Sequence, residues 1–214
     1  MRAVKYCWLL ALLVAMGCGG PSQLSFEEAE GYLMNAMTTA AVHHMANGYE
    51  VEVKQLPSQY LALREVKAFG DITQTAYDSA LESYGEARYF LLTIKPQEGV
   101  REGDIMMQGV SNYEEYQERF IDLSFSLKDY LSLEYEGGEL PPVLATTEHG
   151  YGLSAHRSAM LAFAPGTPEE ASALTNGPVT VVFDDRIFQT GISRFPFNSS
   201  SLTDLPAVQV NTPQ

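Results

Sequence analysis

The chain has 214 residues, 45% of them hydrophobic and 19% charged, with a formal net charge of −14. The hydrophobic share is enough for one sizeable core and argues against disorder over the whole length. The charge disfavours phosphate backbones and anionic head groups, so neither nucleic acid nor a membrane held by charge is expected as a partner.

The N-terminus opens with Arg2 and Lys5, followed by the uncharged apolar run 6–16. A membrane-spanning helix needs about 20 apolar residues, whereas the apolar part of a secretory signal needs about 7–15. The run therefore reads as an export signal. It ends in Ala15-Met16-Gly17-Cys18, which resembles the lipobox of bacterial lipoproteins, with Ala15 where leucine is usual. The resemblance implies cleavage after Gly17 and attachment of long acyl chains such as palmitate to Cys18, which becomes the new N-terminus. Ala15 and Gly17 also fit the small-x-small rule of ordinary secretory cleavage. That alternative would leave Cys18 as a lone thiol in an oxidising compartment, where it invites intermolecular disulfides.

Removing residues 1–17 leaves 11 Lys and Arg against 27 Asp and Glu, a formal charge of −16. The other cysteine, Cys7, leaves with the signal, so thiol catalysis and cysteine-ligated zinc are not expected. Gly19 follows the cysteine. By resemblance to enterobacterial sorting, the absence of Asp there favours the outer membrane over the inner one in a Gram-negative host. The expected organisation is a signal over 1–17, a lipid-attached tether over 18–24, one globular domain over 25–197 and a flexible tail over 198–214.

Ser25-Phe26-Glu27-Glu28 is a capping box, and the apolar spacing after it predicts a helix to about Ala46, stopped by Asn47-Gly48. His43 and His44 then fall near the negative end of its dipole, where a capping role is favoured over metal binding. Residues 49–53 alternate as a strand, 58–69 fit neither period, and 71–87 look helical. Residues 88–94 form a buried-type strand stopped by Pro96, 97–109 a loop, and 112–121 a short helix. Strands follow over 130–135, 143–147, 158–164, 179–183 and 187–197, with a hairpin at Gly137-Gly138. Thr167-Pro168-Glu169-Glu170 is a second capping box, opening a short helix that ends near Asn176-Gly177. The order predicts an α+β fold, a mostly antiparallel sheet with helices packed on one face.

The stretch most suggestive of a site is residues 148–158. Glu148, His149, Tyr151, His156 and Arg157 are its candidate binding residues, grouped around two glycines. The spacing of His149 and His156 is not that of a helical zinc motif, and no Gly-x-Ser-x-Gly elbow offers an acyl nucleophile. Asp184-Asp185 reads as a pair flanking a turn. The spread of methionines reads as core filling, and no phosphate-binding or dinucleotide motif is present. The sequence therefore assigns no catalytic residue, metal or cofactor. It favours an envelope protein held at the membrane by its N-terminal lipid, acting as a non-enzymatic binding module for a protein partner in the envelope. The alternatives are an envelope hydrolase using the Glu148–Ser158 loop and a structural subunit of an envelope complex.

Overall fold

The computed structural model describes residues 22–100, 102–148, 154–198 and 205–210. The fold is α+β, and its two larger sheets are antiparallel throughout. In chain order the elements are β1 (Gln23–Ser25), α1 (Phe26–Thr39), β2 (Val42–Ala46), β3 (Tyr49–Leu56), α2 (Ser58–Phe69) and α3 (Gln74–Ser83). Next come β4 (Arg88–Pro96), α4 (Tyr113–Ile121), a π-helical turn (Asp122–Ser126) and a 3-10 turn (Leu127–Tyr130). The chain finishes with β5 (Leu131–Tyr135), β6 (Gly138–Leu140), β7 (Leu144–Thr147), β8 (Arg157–Phe163), α5 (Pro168–Asn176), β9 (Val179–Asp185), β10 (Gly191–Phe197) and β11 (Ala207–Gln209).

Strand order in the five-stranded sheet is β2-β3-β4-β8-β7, and in the four-stranded sheet β10-β9-β5-β6. Side chains alternate across each strand, so one face of each sheet can be wholly apolar. Val51, Val53, Phe90, Leu92, Leu161 and Phe163 point from the first sheet at Leu133, Val181, Phe183 and Phe195 from the second, all at most 1% exposed. Together they form the main core.

Helices α1 and α2 pack on the other face of the five-stranded sheet, where Met37, Leu56 and Leu61 are buried with Tyr89, Leu91 and Met160 against them. A second core lies among α1, α2 and α3 and includes Val208 and Val210. The expectation of a flexible tail from Asn198 is therefore corrected over Leu205–Val210. There β11 pairs in parallel with β1 and closes the domain on itself. Pairing and burial of two valines outweigh a composition that, read alone, looks frayed. Gln23 and Leu24, expected in the tether, belong to β1 for the same reason.

Both capping boxes form. Ser25 and Glu28 satisfy one another's backbone N–H groups at the start of α1, and Thr167 and Glu170 do the same for α5, with Pro168 in its first turn. The expected long first helix is corrected. It stops at Thr39, and residues 42–46 are an edge strand paired with β3. Asn47 and Gly48, at φ 50° and 78°, make the tight two-residue turn between them and do not cap a helix. The undecided segment 58–69 is α2, ended by Gly70 at φ 75°.

Tyr77 on α3 is 2% exposed, and its hydroxyl has no hydrogen-bond partner. Burial, with the charge of Asp78 beside it, pushes that phenol up to about 12. A buried hydroxyl without a partner is a net cost, so Tyr77→Phe should stabilise the domain by about 1 kcal/mol. Urea unfolding would show it as a higher midpoint at unchanged slope; a lower midpoint would mean that the hydroxyl is satisfied after all.

Candidate functional site

Of the five residues expected to form a binding loop, His149 and Tyr151 lie outside the described residues. Glu148 is exposed and continues the β7–β8 hairpin, its backbone N–H donating to the Ser158 carbonyl at 2.8 Å. His156 is exposed, with Nδ1 2.7 Å from the Ser154 Oγ two residues away. That contact is a local turn bond. Among the described residues no carboxylate pairs with His156 to orient it, as a general base would need. Arg157 turns inward. It donates to Asp104 Oδ2 at 2.7 Å and to the carbonyls of Ser154 and His156 at 2.7 and 2.8 Å. With the Ile105 N–H bonded to the Ala155 carbonyl, it ties the 104–105 segment to the start of β8. The void beside it, against Leu92, Leu127 and Ser158, is about 10 Å³, room for one water. Arg157 is thus a strut between two loops, and no hydrogen bond or ion pair among the described residues joins its side chain to those of Glu148 and His156.

His43 is also corrected. Helix capping gives way to a cross-strand cluster, because β2 places His43 opposite Glu52 and diagonal to Glu50. Its Nδ1 lies 2.8 Å from Glu50 and 3.6 Å from Glu52. These three residues are a geometrically admissible metal group. Two lysines already hold the carboxylates, however. Lys54 is 2.7 Å from Glu52, and Lys95 is 3.1 Å from Glu50 and 3.8 Å from Glu52. The Lys95 ammonium sits between the two acids, where a cation would go. Partial burial pushes the Glu50 carboxyl up, but the hydrogen bonds and charges of Lys95 and His43 outweigh it and hold the carboxyl below its usual range. The chemistry is that of a charge-balanced ladder over the part of the sheet beyond Leu56.

A different feature stands out at α4. Asn112 caps it through the Glu115 N–H, and Glu115 in turn accepts from the Ser111 N–H at 2.8 Å. Yet none of its residues is buried. Tyr113 is 72% exposed and Ile121 51%, and Phe120 is exposed as well. The helix is held from beneath by Arg119, which donates to the carbonyls of Ile105 and Gln108, each at 2.8 Å, and lies 5.1 Å over the Phe188 ring. The π-helical turn then resets the register. Leu123 and Leu127 point into the main core, while Phe125 between them is 73% exposed. Such a widened turn is an uncommon element found often at functional sites. At the start of α4, Met107, Val110, Tyr113 and Tyr116 line an open cleft of about 430 Å³, where the two tyrosine rings stack 6.2 Å apart. The sequence carried a partial signal, an aromatic stripe at positions 113, 116 and 120, but a stripe at helical spacing reads first as a buried face.

No family model matches the chain, and no curated protein matches it. Among solved structures, it is similar to a protein of unknown function from Burkholderia pseudomallei, at 13% identity and a TM-score of 0.40. The match covers 86% of this chain and 96% of that one.

Proposed function

We propose that this chain is a lipid-anchored protein of the bacterial envelope that acts as a non-enzymatic interaction module. The segment Ala15-Met16-Gly17-Cys18, after a short apolar run, carries the reading. The surface presents aromatic side chains at α4, as an interaction module would. Among the described residues no helix is long and apolar enough to cross a membrane. Two or more acyl chains hold a protein stably where one does not. Only four residues separate Cys18 from β1, so the domain would ride within roughly 20 Å of the bilayer at about 3.4 Å per residue.

Mass spectrometry of the mature N-terminus should find an acylated Cys18. Cys18→Ser should leave the chain uncut or release it from membranes. Unmodified soluble protein beginning at Cys18 would overturn the anchor.

A further inference from the structure

The geometry points to the α4 face as the docking surface for one kind of partner: a protein segment with an aromatic or aliphatic anchor flanked by lysine or arginine. This rests on the interaction-module reading above and names its surface. The apolar part comprises the exposed Met107, Tyr113, Ile121 and Phe125, with the half-buried Val110 beside Met107. Met107, Val110 and Tyr113 share the cleft, and Ile121 and Phe125 stand one turn apart. Burying such side chains is worth about 25 cal/mol per Å² of apolar area, so a surface left with this many uncovered is incomplete by itself.

Charge selects what covers it. Glu114, Glu115 and Glu118 are exposed on the same helix, with Asp122 half-buried after it and Asp129 exposed beyond. Of the nearby cations among the described residues, Arg119 is committed to backbone carbonyls beneath the helix and Arg186 is paired with Asp184, which leaves Lys128. A second copy docked on the same face would oppose acid to acid. An anionic bilayer would be repelled by the same residues. A basic-flanked segment instead gains at the rim what it gains in the cleft, and complementary charge also raises its rate of encounter. The cleft fits a side chain from such a segment between Met107 and the stacked tyrosines. The surface is presented rigidly, because the capped start of α4, Arg119 and the buried Leu123 and Leu127 fix the backbone on which it stands.

The test is site-specific photocrosslinking of the full chain in cells that make it. Benzoylphenylalanine is placed at Tyr113 or at Phe125, with Ile192 on the outer face of the four-stranded sheet, 65% exposed, as the control position. Irradiation should give a protein adduct from 113 and 125 and none from 192. Mass spectrometry of the joined peptide should show an apolar residue flanked by lysine or arginine. Glu114→Lys with Glu118→Lys, both at exposed positions, should lower the adduct yield at least about fivefold while the far-ultraviolet circular dichroism stays unchanged. Lipid adducts, an adduct between two copies, a partner peptide without basic flanks, an unchanged yield after charge reversal, or no adduct at 113 and 125 would each overturn the proposal. The outcome is separable from that of the anchor: a Cys18→Ser chain that is soluble yet still crosslinks from 113 and 125 would remove the lipid reading and leave this surface standing.

Discussion

Replacing Asp185 with alanine should destabilise the domain by about 3–5 kcal/mol, because one buried carboxylate organises the whole turn from β9 to β10. Asp185 is 2% exposed. Its Oδ1 accepts from the backbone N–H groups of Ile187 and Phe188 at 3.0 and 2.9 Å, and its Oδ2 accepts from the N–H and hydroxyl of Thr190 at 3.2 and 2.5 Å. Alanine would strand three backbone donors where water is excluded, each at about 1–3 kcal/mol less whatever the turn recovers by opening. Gln189 sits in this turn at φ 58°, a conformation that a side-chain residue keeps only when its surroundings impose it. Asp185→Asn keeps an acceptor for Ile187 and Phe188 and should cost about a third as much. Urea unfolding followed by circular dichroism reads both. A loss under about 1 kcal/mol for the alanine variant would mean that the turn is held by something else.

The turn also supports α4. Phe188 leaves it to meet the Tyr49 ring at 5.2 Å, its carbonyl accepts from Asn47 Nδ2 at 3.3 Å, and Arg119 lies over its ring. Loosening Asp185 should therefore lower the crosslinking yield at Tyr113 without changing any side chain on that face.

The second large effect is expected at Phe90. It is fully buried on β4 and bridges the two sheets, with ring centroids 5.9 Å from Phe163 on its own sheet and 5.2 Å from Phe197 on the other. Phe90→Ala removes the transfer free energy of the ring and leaves a cavity that two stiff sheets cannot close, which costs about 3–5 kcal/mol. The offset and edge contacts with its neighbours are lost as well, about 0.5–1.5 kcal/mol per pair. Phe90→Leu refills most of the volume and should recover more than half of the loss. Thermal and urea unfolding of the two variants would check this. Equal losses for alanine and leucine would show that ring geometry, not volume, sets the stability. Total stabilities of about 5–15 kcal/mol make either the alanine change here or the one at Asp185 enough to deplete the folded protein.

Local chemistry was legible where a signal and its consequence lie within a few residues. Ser25 with Glu28 and Thr167 with Glu170 fixed two helix starts, because a cap needs only its own first turn. Gly137-Gly138 placed the β5–β6 hairpin, and the Asp184-Asp185 turn was legible because an aspartate bonds N–H groups just ahead of it. Asn47-Gly48 was legible too, as a hairpin turn with alternation on its far side. Its reading as a helix stop came from giving more weight to the apolar spacing before it. The α+β class followed from the order of these elements.

What the sequence by itself determined is therefore a set of local starts, stops and turns, a strongly acidic surface, and the Ala15–Cys18 segment from which an envelope address is inferred. Only the tertiary structure decided which apolar faces are covered. The apolar spacing that suggested one long helix is divided between α1 and an edge strand, because pairing with β3 is available from across the turn. Val208 is buried because β1 lies beside it in space, some 180 residues away in sequence. The stripe at Tyr113, Tyr116 and Phe120 has the spacing of a buried face, yet no residue of α4 is buried: Tyr116 is only partly covered against the main core, and Tyr113 and Phe120 stay exposed. Spacing along a chain records which side chains share a face. Whether anything packs on that face depends on contacts between distant segments, and those are absent from any local window.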